Sequence, residues 1–330
     1  MPPASSETSD EGLRSSGMRD MGPDEMARFR RVERAFLDVC ARSEYREIRT
    51  PALEPLHLYT ATGSLSPQLL DGVYSFLDWD GWSGERVVLR PDSTVPAARW
   101  YEEQQNGGGA ARLCYVQPVY RFDPTGDREI WQCGVELFGI EAPEADIELL
   151  TLARDFLIEL GFDDVRYEIA HAGLVRAVLA AAGLDQPEQV AAYDRLLAGD
   201  DAVIDELVGA NPDGASAVRL LFDVDGSTPA YLANLRAALP GNAEAGRALD
   251  ELEAATNALQ QAGSVALVRP SAAGSFEYYS GLTFVVSADE RPLVTGGRYD
   301  RLSGALGDRQ APASGFAANL LRIAELVADR

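Results

Sequence analysis

The chain has 330 residues, 46% of them hydrophobic, so it can bury a core large enough for one large domain or two of ordinary size. Its 52 acidic and 29 basic residues give a formal net charge of −23, which disfavours nucleic acid as a partner. All 29 basic residues are arginine, which excludes a lysine Schiff base or amine base.

The cysteines and the N-terminal segment indicate the compartment. Cys40, Cys114 and Cys133 are odd in number and form no CxxC pair, which argues against a disulfide framework or a zinc site. Residues 1–17 are rich in serine and acid, so we expect a disordered tail and no secretion signal. No apolar run approaches the roughly 20 residues of a membrane span. We therefore expect a cytoplasmic protein that contacts no membrane and holds no metal or other cofactor.

The first predicted element is a helix from Pro23, because apolar residues then recur every three or four positions with arginines between them. EIRTPAL, YSFLDWDG and ERVVLRPD favour strands, as do CYVQPVYRF and IWQCGVELFGI on either side of a glycine-containing turn. These segments predict an antiparallel meander. A further helix is predicted from Pro143 to Gly161, where glycine ends the apolar stripe.

The composition changes in the second half of the chain. From residue 173 to 262 it shifts to Ala, Leu, Asp and Glu at helical spacing, which predicts an all-helical insertion whose charged faces are either solvated or a docking surface. Strands return with SVALVRP, YYSGLTFVVSA and RPLVTGG, and SGFAANLLRIAELVADR is predicted as one helix. The expected fold class is α+β, an antiparallel sheet flanked by helices and split by a helical module.

The stretch LRPDSTVP carries the first polar pattern. Arg90 and Asp92 share a face at a strand end, because side chains alternate along a strand. Spacing alone favours an ion pair between them, followed by a helix cap at Ser93 or Thr94.

A second polar pattern follows in IWQCGVELFG. Gln132, Gly134 and Glu136 fall on one face of a strand, and the glycine leaves room beside the two polar side chains. The same stretch carries the apolar residues Trp131, Val135, Leu137 and Phe138, so the face opposite the polar side chains is predicted to be apolar. A solvated hairpin would not need that apolar face, so we expect a core strand whose polar face meets a ligand.

Together these stretches resemble the class II aminoacyl-tRNA synthetase core, and within it the histidyl-tRNA synthetase subgroup. GMRDMGPDEMARFRRVERAF with EIRTPALEP is similar to the first motif, CYVQPVYRFDP with QCGVELFG to the second, and GFAANLLRI to the third, with Arg322 in the arginine position. LVTGGRYDRL and EIAHAGLVRAVL resemble segments of the histidine subgroup. The resemblance covers most of residues 17–330 and implies a core in two parts, 18–172 and 263–330, around the insertion at 173–262.

The resemblance implies a site for the polar groups of histidine. Asp92, Thr94 and Gln132 stand where the family holds the ammonium group of the amino acid. Arg121 stands where the family meets the carboxylate and the α-phosphate of ATP. Acidic groups and one arginine complement the cation and the anion that histidine presents.

The resemblance also implies a site for the imidazole ring. Glu136 and Tyr279 stand where the family holds this ring, and Tyr278 lies beside them in GSFEYYSG. A carboxyl group and a phenol can accept hydrogen bonds from the ring N–H groups. Of the two adjacent tyrosines, we expect one ring in the pocket and the other packed outside it.

The chain departs from the synthetase pattern at the residue that performs catalysis. In the family an arginine precedes the acid-Tyr-Tyr run and stabilises charge at the α-phosphate, but here Gly274 stands in that position. Loss of such a preorganised donor lowers the rate by about 10²–10³-fold. Arg269 lies five residues upstream, where a shifted alignment would return it to the pocket. The candidate phosphate ligands are therefore Arg121, Arg269 and Arg322.

Further departures concern Asp92, which replaces a glutamate, and Leu321, which replaces the acid before Arg322. Eight residues follow Arg322, so we expect no anticodon-binding domain. A synthetase-like body of this kind resembles the regulatory subunit of ATP phosphoribosyltransferase. That resemblance implies a non-catalytic homodimer within a hetero-oligomer, which a short catalytic chain requires for activity and which binds histidine as a feedback effector. The alternatives are a truncated histidyl-tRNA synthetase-like enzyme that activates histidine with ATP, or a binding protein for another metabolite.

Overall fold

The computed structural model describes residues 14–62, 72–79, 84–104, 109–124, 126–211, 214–222, 226, 229–270, 278–288, 290–307 and 310–327. Most of the tail predicted for residues 1–17 lies outside these ranges, and so does Gly274.

In the described chain, helices and strands are interspersed up to His171 and again from Ala266, and six helices lie between these two residues. The helices are α1 Pro23–Arg42, α2 Leu56–Ala61, α3 Thr94–Gln104, α4 Glu144–Glu159, α5 Ala172–Ala181, α6 Gln186–Leu197, α7 Ala202–Ala210, α8 Ala215–Phe222, α9 Pro229–Ala238, α10 Ala243–Gln261, α11 Arg301–Leu306 and α12 Leu320–Val327. The strands are β1 Arg46–Glu47, β2 Leu53–Pro55, β3 Ser75–Trp79, β4 Gly84–Leu89, β5 Ala111–Tyr120, β6 Glu129–Phe138, β7 Val165–His171, β8 Ala266–Val268, β9 Leu282–Ala288, β10 Arg291–Arg298 and β11 Ala313–Asn319.

The strands form one large and one small sheet. The large sheet has eight strands in the order β1-β5-β6-β11-β10-β9-β7-β8, and the small sheet has three in the order β2-β4-β3. The large sheet is antiparallel except at its edges, where β1 pairs with β5 and β8 pairs with β7 in parallel. The predicted meander is therefore wrong. The two predicted hairpins exist, but they belong to different sheets, and β11 from the end of the chain pairs with β6.

Helix α1 confirms the prediction of a helix from Pro23. Proline suits the first helical position, where its missing N–H would have no partner, and Asp24 and Glu25 complement the positive end of the helix dipole. The apolar stripe is buried against the large sheet, and Phe29 makes an edge contact with Trp131 of β6 at 5.1 Å between ring centroids. This packing fixes one face of β6, so the other face remains for the site.

The prediction of one final helix is wrong for the first half of that segment. Residues 313–319 form β11 at the centre of the sheet, and α12 begins only at Leu320. Ala317 pairs with Gly134 of β6 on one side and with Thr295 of β10 on the other. The sequence SGFAAN shows no clear hydrophobic period. A central strand that is covered on both faces needs no alternation of polar and apolar residues, and small residues suit it.

Residues 172–261 are helical wherever the structure describes them, apart from short connections, as the composition predicts. Their apolar side chains join the same hydrophobic core as those of the large sheet, and α10 packs against α4 and α5. The assignment of residues 173–262 to an inserted module stays a prediction. Within the described part of the chain, no helix is both long and apolar enough to cross a bilayer.

A buried ion pair joins α4 to the end of β10. Arg298 Nη2 lies 3.0 Å from Asp146 Oδ1, and its Nη1 lies 3.2 Å from Asp300 Oδ1. Burial raises the pKa of Asp146 to about 6, although the Arg298 charge acts in the opposite direction. Asp300 in turn accepts a hydrogen bond from the Ser280 hydroxyl at 2.8 Å. The backbone that precedes β9 is thus fastened to the core next to the candidate site.

Candidate functional site

A cavity of about 450 Å³ lies over three adjacent strands, β6, β11 and β10, on the face of the sheet opposite α1. This volume is within the range of small-molecule sites. The structure brings together seven of the nine predicted site residues in its lining, namely Asp92, Thr94, Arg121, Gln132, Tyr278, Tyr279 and Arg322.

Asp92 enters the cavity from the loop between β4 and α3. Its Oδ1 accepts the Val95 N–H at 2.9 Å, so the carboxylate caps the helix. Burial raises the pKa of Asp92, and the Val95 N–H and the Arg121 charge oppose this rise. The predicted cap exists, but Asp92 provides it in place of Ser93 or Thr94. A carboxylate held at this point can accept hydrogen bonds from an ammonium group.

Arg90 does not pair with Asp92, so the ion pair favoured by their spacing is wrong. The buried Arg90 guanidinium instead donates to the carbonyls of Thr50 at 2.7 Å, Pro51 at 3.0 Å and Pro118 at 2.7 Å. Three carbonyls satisfy its donors and tie β4 to β5, which leaves the Asp92 carboxylate available to the cavity.

Glu136 lies beneath the cavity and does not line it. The side chain is fully buried on β6, where the Tyr115 hydroxyl donates to its Oε1 at 3.0 Å and the Tyr299 hydroxyl donates to its Oε2. Burial raises the pKa of Glu136 well above its usual value, and the hydrogen bond with Thr94 opposes this. Glu136 therefore acts on the cavity through Tyr299 and Thr94, which do line it.

Both tyrosines of the predicted pair line the cavity. The rings of Tyr278 and Tyr279 meet edge to face at 5.0 Å, and Tyr278 also contacts Tyr299 at 5.3 Å between centroids. The expectation that one ring packs outside the pocket is therefore wrong. Tyr299 provides the second aromatic neighbour that holds the Tyr278 ring inside.

The three candidate phosphate-binding arginines occupy different places. Arg121 lines the cavity, and its Nε donates to the Pro91 carbonyl at 2.7 Å. Arg322 lies at the exposed rim, where its Nη1 is 3.5 Å from the Pro292 carbonyl. Arg269 lies in a separate cleft of about 670 Å³ at β7 and β8, with its Nη1 2.9 Å from Glu168 Oε1. The structure thus separates Arg269 from the other site residues.

The sequence predictions did not include three polar residues of the cavity lining, Tyr299, Thr295 and Asn319. Tyr299 stands in LVTGGRYDRL, so the resemblance of that segment to the histidine subgroup was a signal for it. Thr295 lies in the same segment and Asn319 lies in GFAANLLRI, so the same kind of resemblance was a signal for them, although neither belongs to a polar pattern of its own. Among the described residues, no group of three or more His, Cys, Asp or Glu side chains is arranged to hold a metal ion.

A mainly antiparallel sheet with helices on one face and this polar, aromatic cavity on the other defines a class II aminoacyl-tRNA synthetase-like protein. The family model described as histidyl-tRNA synthetase matches residues 17–323. The ATP phosphoribosyltransferase regulatory subunit of Dehalococcoides mccartyi strain CBDB1 is 43% identical over 318 residues, which cover 95% of this chain and 77% of that relative. The ATP phosphoribosyltransferase regulatory subunit of Polynucleobacter necessarius subsp. necessarius is 32% identical over 317 residues, which cover 93% of this chain and 80% of that relative.

Solved structures agree on the fold. A crystal structure of an ATP phosphoribosyltransferase regulatory subunit/histidyl-tRNA synthetase from Bacillus halodurans matches with a TM-score of 0.83 at 24% identity, over 96% of this chain and 83% of that one. The chain therefore belongs to the histidyl-tRNA synthetase family and, within it, to the ATP phosphoribosyltransferase regulatory subunits.

The burial of Glu136 generates a prediction about stability. Glu136→Gln keeps the shape of the side chain and removes the negative charge that burial disfavours, so we expect the free energy of unfolding at about pH 7 to stay within about 1 kcal/mol of the wild type or to exceed it. Glu136→Ala removes the acceptor of two buried tyrosine hydroxyls and should lower it by about 2–4 kcal/mol. Urea denaturation measures both changes.

The pH dependence provides the control. In the unfolded chain Glu136 releases its proton at about pH 4.3, whereas the folded chain keeps the proton to higher pH. The contribution of Glu136 to the free energy of unfolding is therefore lost as the pH rises from about 4.3 towards the pKa of the folded state. Glu136→Gln should remove this loss. Parallel stability curves for the wild type and Glu136→Gln between about pH 5 and about pH 8 would contradict a raised pKa.

Proposed function

We propose that this chain is the non-catalytic regulatory subunit of an ATP phosphoribosyltransferase in histidine biosynthesis, in the cytoplasm. A short catalytic chain requires it for activity, and it binds histidine as the feedback effector. The regulatory subunits among its relatives support the role as a regulatory subunit with a catalytic partner. The lining of the cavity supports the binding of histidine.

The cavity offers a matching group for each part of histidine. Asp92 and Gln132 suit the ammonium group, and Arg121 suits the carboxylate. The aromatic walls and the Tyr299 hydroxyl, with Glu136 behind it, suit a flat ring that carries an N–H donor. Recognition of this kind needs no reaction at the bound amino acid.

The position of Arg269 carries the proposal of a non-catalytic role. Adenylate formation develops charge at the α-phosphate of ATP, and a preorganised cation there accounts for about 10²–10³ in rate. Arg269 is the residue that a shifted alignment would bring to this position, but it pairs with Glu168 on β7, two strands beyond β10. The arginines that line the cavity within the described part of the chain are Arg121 and Arg322.

Feedback inhibition then follows from differential binding. Histidine shifts an assembly towards an inhibited state only by as much as it prefers that state, and coupling free energies of this kind are typically about 1–3 kcal/mol. The catalytic chain performs the chemistry in this scheme, and the chain described here supplies the effector site.

The first prediction for this function concerns the catalytic partner. The purified full chain should form a complex with a short-form ATP phosphoribosyltransferase catalytic chain and raise its activity, and L-histidine should lower that activity. Asp92→Asn should weaken histidine binding about tenfold through loss of one charged hydrogen bond, yet leave complex formation unchanged. Calorimetry measures the binding, and a coupled assay measures the activity. Absence of both the complex and any change in activity would contradict the proposal.

Pyrophosphate exchange separates the proposal from its alternative. With L-histidine and ATP, the chain should show exchange at background while histidine still raises its melting temperature. Exchange above background would instead favour a truncated histidyl-tRNA synthetase-like enzyme that uses the Arg121 and Arg322 of the cavity.

We further propose that the chain forms a homodimer within the hetero-oligomer. The small sheet supports this, because it exposes large apolar side chains next to the segment that resembles the first motif. These side chains, with the fraction of each residue exposed, are Leu53 (45%), Phe76 (43%), Leu77 (53%) and Trp79 (61%).

A charge in this surface should separate the two copies. We expect the wild type to have the mass of two chains in light scattering, and the double variant Leu77→Glu and Trp79→Glu to have the mass of one, because buried unpaired carboxylates oppose the contact. Val265→Glu, at a residue 72% exposed beside β8, is the matched control and should stay dimeric. A monomeric wild type, or a dimeric double variant, would contradict this assignment.

A further inference from the structure

Arg176 of α5 holds the backbone behind a wall of the cavity. Its Nη2 donates to the Ser280 carbonyl at 3.0 Å, and its Nη1 donates to the Tyr279 carbonyl at 3.4 Å. The Tyr279 ring lines the cavity, and only 18% of the Arg176 side chain is exposed. One guanidinium therefore fixes two successive peptide groups that carry a ligand-facing ring.

The same guanidinium faces the first turn of α10. Arg176 Nε lies 3.7 Å from Glu244 Oε1, and burial lowers the pKa of Arg176 while Glu244 opposes that change. At the N-terminal end of α5, His171 caps the helix by accepting the Gly173 N–H, and its Nε2 lies 2.9 Å from Glu251 of α10. The order of the two contacts, His171 with Glu251 and Arg176 with Glu244, shows that the two helices run in opposite directions where they meet.

The other side of the Tyr279 backbone is held rigidly. The Ser280 N–H donates to the Arg298 carbonyl at 2.8 Å, and the Ser280 hydroxyl donates to Asp300 at 2.8 Å. Arg298 is itself held by the buried Asp146 at 3.0 Å. Ser280 is thus fixed to the core on this side, and Arg176 is the contact that joins the same backbone to a different helix, α10.

We propose that Arg176 is the positioning residue that couples occupancy of the cavity to α10, and that α10 is the element through which the effector acts. Identification of the effector as histidine rests on the proposed function. A ligand that orders the Tyr279 ring also orders its carbonyl and that of Ser280, and so fixes the Arg176 guanidinium. The fixed guanidinium then holds Glu244 and the start of α10 in one arrangement, which links the two sites through an ordering equilibrium.

Hydrogen exchange of the full chain tests this coupling. Saturating L-histidine, with saturation established by calorimetry, should slow amide exchange at residues 243–251 of the wild type about threefold or more. In Arg176→Gln the histidine affinity should fall about tenfold, and the response at residues 243–251 should disappear even at saturation. In Glu244→Gln the affinity should stay within about twofold of the wild type while the α10 response is lost. A merely structural role would not separate binding from response in this way.

Two variants on the same helix provide matched controls. Arg247→Gln and Glu253→Gln each remove one charge from α10 and should keep both the affinity and the response. A full α10 response in Arg176→Gln or in Glu244→Gln would overturn the inference.

A comparison without ligand distinguishes failure of the inference from failure of the proposed function. If the wild type does not bind histidine, the proposed effector is wrong. Amide hydrogen exchange without ligand then tests whether Arg176 couples the Tyr279 backbone to α10. Arg176→Gln should then speed exchange about threefold both at residues 278–281 and at residues 243–247, whereas Arg247→Gln should leave residues 278–281 unchanged. If Arg176→Gln leaves amide exchange unchanged at residues 278–281 or at residues 243–247, the coupling is overturned whatever the ligand is.

Discussion

The pocket depends on the absence of a side chain at the centre of the large sheet. Gly315 of β11 pairs with Glu136 of β6 on one side and with Gly297 of β10 on the other. A Cβ atom at Gly315 would collide with the Glu136 carboxyl group and with the Tyr299 hydroxyl. The glycine therefore allows this acid and this phenol, 163 residues apart in sequence, to form a hydrogen bond under the cavity. The bond locks two distant parts of the chain together and shapes the floor of the cavity before a ligand enters.

Recognition and chemistry depend on different groups in this fold. The polar floor consists of a buried acid whose pKa is raised, two tyrosines that donate to it, and Thr94. Asp92 and Arg121 also line the cavity, so the groups proposed for an ammonium group and a carboxylate lie around the same space as the aromatic rings. Activation of that carboxylate with ATP needs a further cation at the reacting phosphate, whereas Arg269 is paired with Glu168 elsewhere on the sheet. A regulatory subunit can therefore keep the first set of groups without the second.

Local periodic signals were predictable from the sequence, and contacts between distant segments were not. Helix α1 and the alternating strand around Gln132 repeat over several positions, so their type and buried faces follow from the letters alone. Strand β11 has no such period, because its extended form comes from pairing with β6 and β10. The site residues given by the resemblance lie around one cavity except for Glu136 beneath it and Arg269, whose position depends on an acid of a neighbouring strand. The inward position of Tyr278 likewise depends on Tyr299, which only the fold brings beside it.

The most direct test of this account is a crystal structure of the full chain with L-histidine and ATP at about pH 7. The account predicts the imidazole against Tyr299 above Glu136, the ammonium group at Asp92 and Gln132, the carboxylate at Arg121, and Arg269 still paired with Glu168. Histidine bound outside this cavity, or Arg269 or another guanidinium placed against the α-phosphate of ATP in a reactive arrangement, would contradict it.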